Sequence, residues 1–82
     1  MSSPRILVVD DEADIRGLLS EILTEEGYEV EAAADAASAR RACVRREPDL
    51  VLLDIWMPDT DGISLLREWS EKNSLRCPVV ML

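Results

Sequence analysis

The chain has 82 residues, 48% hydrophobic and 32% charged, a balance that fits one small folded domain and excludes both a disordered acidic tail and a two-domain enzyme. Seventeen Asp and Glu against nine Lys and Arg give a net charge of -8, which repels nucleic-acid phosphates and favours cations or basic partner surfaces, so direct nucleic-acid binding by this segment is not expected. There is no His, which removes imidazole zinc sites and Ser-His-Asp catalysis and leaves carboxylates to carry any chemistry.

Ile6-Leu7-Val8-Val9 is a continuous apolar run that stops at Asp10 and Asp11, the pattern of a strand buried on both faces. The run is too short for a signal peptide or a membrane span, so no membrane association and a cytoplasmic location are expected. From Ala13, the residues Ile15, Leu18, Leu19, Ile22 and Leu23 recur at helical spacing, and Gly27 follows as the C-terminal cap. Tyr28 to Ala33 alternates around Val30 as a short edge strand, with Glu29 and Glu31 expected in water.

Asp35 is placed to cap a second helix whose small residues Ala36, Ala39, Ala42 and Cys43 form a narrow apolar face. Arg40, Arg41, Arg45 and Arg46 fall mostly outside that face and are expected to stay hydrated near the helix's negative end, and Pro48 stops the helix by position 47. Leu50-Val51-Leu52-Leu53 repeats the buried-strand pattern and again ends on an aspartate, Asp54. Beyond it, Met57-Pro58 reads as a rigid loop segment, Asp59 as a solvent-facing residue, and Asp61 as the cap of a third helix carrying Ile63, Leu65, Leu66 and Trp69. Pro78 to Leu82 reads as a fourth strand. Cys43 and Cys77 lack a Cys-x-x-Cys pairing and are expected as buried, reduced thiols.

The order β-α-β-α-β-α-β with short connections predicts a doubly wound α/β fold, a parallel sheet between layers of helices. In such sheets ligands sit beyond the carboxyl ends of the strands, where Asp10, Asp11 and Asp54 all fall. If the first and third strands are neighbours, three anions meet. At about 4 Å and an effective dielectric near 20, each like-charge pair costs roughly 4 kcal/mol, so the cluster must bind a cation or hold a proton. All-oxygen ligation with few protein ligands suits Mg²⁺ better than Ca²⁺, and a carboxylate beside Mg²⁺ can act as a nucleophile toward phosphorus. Taken alone, Asp10-Asp11-Glu12 could instead merely place negative charge at the first turn of a helix, where the dipole favours it.

Ile6-Leu7-Val8-Val9-Asp10-Asp11-Glu12 and Asp54-Ile55-Trp56-Met57-Pro58-Asp59-Thr60-Asp61-Gly62 resemble the two signatures of response-regulator receiver domains. The resemblance spans the chain and implies a flavodoxin-like sheet of order 2-1-3-4. It further implies that Asp54 accepts a phosphoryl group from the phosphohistidine of a sensor histidine kinase. By the same resemblance Asp11 is a direct Mg²⁺ ligand, Asp10 a ligand through water, and the backbone carbonyl of Trp56 the third protein ligand. The domain would switch an output domain outside this chain and would not be classed as an enzyme. The Asp-Ile-Trp after the third strand is similar to nitrogen-regulation regulators of the NtrX/NtrC type.

Residues 1–82 are expected to form one receiver domain that is incomplete at its C-terminal end. The family's Ser or Thr after the fourth strand, and its Lys after a fifth, have no counterpart here. An open fourth-strand edge and an uncovered apolar sheet surface beside the first helix would then favour self-association. The alternative function is a receiver-like docking or dimerisation module without phosphoryl chemistry. A Mg²⁺-dependent aspartyl phosphatase is disfavoured, because that family places Asp-x-Asp where this chain has Asp10-Asp11-Glu12.

Overall fold

The computed structural model describes residues 3–54, 56–57, 62–71 and 76–82. Its elements run β1 (Arg5–Val9), α1 (Ala13–Glu25), β2 (Glu29–Ala33), α2 (Ala36–Arg45), β3 (Leu50–Leu53), α3 (Gly62–Glu71) and β4 (Val79–Met81). The four strands form one parallel sheet of order β2-β1-β3-β4, as expected for the doubly wound fold. Asp61, Asp59 and Pro58, for which a cap, a solvent-facing role and a rigid loop were expected, lie outside the described residues.

Strand alternation decides which side chains go where. Leu7, Val9, Ala33, Val51 and Leu53 point to one face, where Ala36, Ala39 and Ala42 of α2 and Leu65 and Trp69 of α3 complete a closed core. Alanines at this spacing let α2 lie close to the sheet. Complete burial of Leu7, Leu53 and Leu65 contributes roughly 1.5–3 kcal/mol each. Ile63, grouped with these residues on the basis of spacing, is instead exposed, because it lies off the stripe formed by Leu65, Leu66 and Trp69.

The opposite face carries Ile6 and Val8, both buried, and α1. No residue of α1 is fully buried, and Leu18 and Ile22 are 54% and 47% exposed. The helix is ended by Gly27 at φ 95°, whose N–H donates to the Thr24 carbonyl (3.0 Å), while the Tyr28 N–H donates to the Leu23 carbonyl (3.1 Å). This is a Schellman closure, and the left-handed backbone is why glycine stands there. At the start of α2 the Asp35 carboxylate accepts from the Ser38 N–H at 2.8 Å, as expected of a cap.

Three expectations are corrected. Glu29 and Glu31 are not merely solvated. The β1–β2 register pairs Arg5 with Glu29 and Leu7 with Glu31, which puts both glutamates on the α2 side of the sheet. There Arg5 bonds to Glu29 (3.4 Å) and Glu31, Arg45 of α2 to Glu31, and Arg46 to Glu29 (3.1 Å). The arginines around α2 are correspondingly engaged rather than simply hydrated, and Arg40 makes a two-pronged pair with Glu68 of α3 (2.7 and 2.8 Å). Cys43 and Cys77 are free but only partly buried. They pack against the closed core, and burial pushes the Cys43 thiol up to about 11, with smaller contributions from nearby Cys77 and Glu47.

Candidate functional site

Parallel pairing sets the site. In the β1–β3 register Val9 lies opposite Leu53, so the next residue of each strand, Asp10 and Asp54, emerges side by side. Backbone bonds continue into both: the Asp54 N–H donates to the Val9 carbonyl (2.9 Å) and the Asp10 N–H to the Ala33 carbonyl (3.1 Å). Asp10 and Asp54 are therefore carried on backbone that the neighbouring strands still hold.

The three expected aspartates come together. One carboxylate oxygen from each of Asp10, Asp11 and Asp54 lies within 4.8 Å of the others, with Asp10 buried, Asp54 half-buried and Asp11 exposed. Such a gradient leaves one side open to solvent and to a ligand. Asp10 Oδ1 accepts from the Glu12 N–H at 2.9 Å, and Asp54 Oδ1 accepts from the Trp56 N–H at 3.0 Å. Each bond fixes one oxygen of its carboxylate and leaves the other available. Trp56 thus sits beside the cluster, 81% exposed, while Met57 turns back into the core. Glu12 occupies the N-cap position of α1 without a side-chain capping bond.

The donor set fits a hard divalent cation. It is all oxygen, its oxygens span little more than twice a Mg–O distance of about 2.1 Å, and like charges are packed together with no Lys or Arg bonded to any of the three carboxylates among the described residues. One neighbour escaped sequence reasoning. Arg16 on the first turns of α1 donates from Nη1 to the backbone carbonyl of Asp10 at 2.8 Å. Side chains on a helix lean toward its N-terminus, so an arginine four residues past the Glu12 cap is placed to reach back to the strand tip, and that offset was the available signal.

The family model for the response regulator receiver domain matches residues 6–82. The chain belongs to that family. Protein PetR of Rhodobacter capsulatus is 43% identical over 81 residues, matching 99% of this chain and 33% of PetR. The solved receiver domain of NtrX from Brucella abortus superposes with a TM-score of 0.85 at 50% identity, covering 93% of this chain and 64% of that one. The response regulator TrrA from Thermotoga maritima, solved in complex with Mg(2+)-BeF, superposes with a TM-score of 0.78 at 35% identity, covering 94% of this chain and 85% of that one. The expected likeness to NtrX is thus present, alongside likeness to other response regulators. This receiver chain spans about a third of the length of PetR. No helix among the described residues is long and apolar enough to cross a membrane.

Proposed function

We propose that this receiver domain takes a phosphoryl group onto Asp54 from a sensor histidine kinase and thereby switches an output domain elsewhere in the protein. The observation that carries this reading is the meeting of three carboxylates from two separate strand tips within 4.8 Å. Asp11 would ligate Mg²⁺ directly, Asp10 through water, and the Trp56 carbonyl would supply the third protein ligand, with Asp54 completing the set. The ion supplies neutralisation of charge on the phosphoryl oxygens during transfer.

Asp54 does the chemistry. Its free oxygen attacks phosphorus as the P–N bond to the donor imidazole breaks, forming an acyl phosphate; the departing nitrogen keeps the electron pair of that bond, and a proton already carried on the other ring nitrogen leaves the imidazole neutral. The Trp56 N–H on the other oxygen holds the carboxylate in one orientation for that attack. Asp10, held by the Glu12 N–H, keeps its charge directed at the cluster.

Titrating MgCl₂ while following Trp56 emission and thermal melting, then adding beryllofluoride or acetyl phosphate, tests the reading. Asp54→Asn is expected to abolish labelling by acetyl phosphate. A Mg²⁺ response with no response to either phosphoryl reagent would instead favour a docking module. We further propose a cytoplasmic location, no contact with nucleic acid by this acidic segment, and self-association through the β4 edge and the uncovered α1-side face. A monomeric mass in light scattering at high protein concentration would count against self-association.

A further inference from the structure

We infer that Arg16 is a positioning residue that acts as a resident counter-cation for the acidic cluster, holding the β1–α1 turn together without metal and weakening the affinity for the divalent ion. The inference rests on the Mg²⁺ reading above. Asp10, Asp11 and Glu12 follow one another, Asp14 lies in the first turn of α1, and Asp54 stands alongside. Among the described residues, Arg16 is the one cationic side chain bonded to any residue of this group.

Its bond is to a neutral acceptor. The guanidinium donates to the Asp10 carbonyl and not to a carboxylate, so its charge is not cancelled by an ion pair of its own and acts on the whole cluster. Asp10 itself is only 5% exposed, which limits how far water can screen its charge. A turn carrying this much negative charge needs a positive one nearby to stay compact. Arg16 supplies it permanently, whereas a divalent ion supplies it only when bound. Two cations serving one cluster oppose each other, so the turn is held before the ion arrives and the ion binds less tightly than the carboxylates alone would dictate.

The test compares wild type, Arg16→Met and Arg16→Lys at low ionic strength, by calorimetric titration with MgCl₂ and by melting in EDTA and in saturating MgCl₂. Arg16→Met is expected to melt lower in EDTA, to recover most of the loss in MgCl₂, and to bind Mg²⁺ about five-fold more tightly. A factor of that order corresponds to about 1 kcal/mol of charge repulsion, a solvent-screened value suited to the exposed side of the cluster where Asp11 stands. Arg16→Lys keeps the charge without the fork and is expected to retain wild-type affinity. If wild type binds Mg²⁺ but Arg16→Met binds it equally or more weakly, with the same melting loss in both buffers, Arg16 is only a structural clamp and the inference falls while the metal reading stands. If wild type shows no heat and no melting shift with MgCl₂, the metal reading falls and takes this inference with it. Should Arg16→Met fail to fold in either buffer, Arg16→Lys decides: unchanged affinity supports the counter-cation, and a changed one overturns it.

Discussion

The two faces of the sheet are built from the same four strands and reach different states. On the α2–α3 side, Leu7, Val9, Val51 and Leu53 are closed over by alanines, Leu65 and Trp69. On the α1 side, Ile6 and Val8 are buried, but Leu50 and Leu52 are only partly so, and Val80 and Leu82 are 46% and 47% exposed. The difference shows that strand periodicity fixes which side chains share a face, while burial depends on how much of that face a second layer reaches. Stability is therefore expected to be concentrated on the α2–α3 side.

The sharpest way to break that contrast is by truncation on either side of the sheet. Leu53→Ala or Leu65→Ala is expected to cost about 2–5 kcal/mol, against less than about 1 kcal/mol for Leu18→Ala, measured as changes in urea midpoint at constant slope. Comparable losses on the two sides would mean that the α1 face is covered in solution. Next in size comes Arg5, whose side chain is 12% exposed and bonds to two glutamates on the α2 side. Arg5→Met is expected to destabilise by about 2 kcal/mol, and the same variant with Glu31→Gln added should lose less than the sum of the separate changes.

On the α1 side, where the helix has no fully buried residue, its closure at Gly27 should matter by itself. Gly27→Ala forces a side chain into a left-handed backbone and is expected to cost about 1 kcal/mol, with fraying of the last turn visible in amide exchange. The smallest effect is the α2 cap. The Ser38 N–H and hydroxyl hold the Asp35 carboxyl below its ordinary value, so its contribution is present above the unfolded pKa and disappears as pH falls through the lowered folded one. The stability gap between wild type and Asp35→Ala should stay level above about pH 5 and close in acid. A gap that widened in acid would have the wrong sign for this cap.

Much of this architecture was legible because single features decided it. Two apolar runs ending on Asp10 and on Asp54, with a helix between each pair of strands, leave few arrangements other than adjacent parallel strands with their carboxylates at one end. Glu29 and Glu31 were misread because alternation shows that two residues share a face without saying which face, and the sidedness of β2 follows only from its register with Arg5 and Leu7. The α1 stripe was found, yet a stripe carries no record of how much of it is covered. Arg16 was missed for a different reason: its partner is a backbone carbonyl, so no charge pairing marks the contact and its offset from the start of α1 was the one signal.

The bonds of the sheet run on into the two aspartates themselves, the Asp54 amide to the Val9 carbonyl of β1 and the Asp10 amide to the Ala33 carbonyl of β2. The gap between the two acid-bearing backbones is thereby the interstrand spacing, about 4.8 Å, a length common to every sheet and beyond the reach of mutation. The sheet works as a ruler, and the only adjustable part of the measurement is the reach of the side chain standing on each mark. An extra methylene at Asp54 would shift its carboxylate by more than a metal–oxygen bond of the proposed site tolerates, which makes the shortness of aspartate as consequential as its charge.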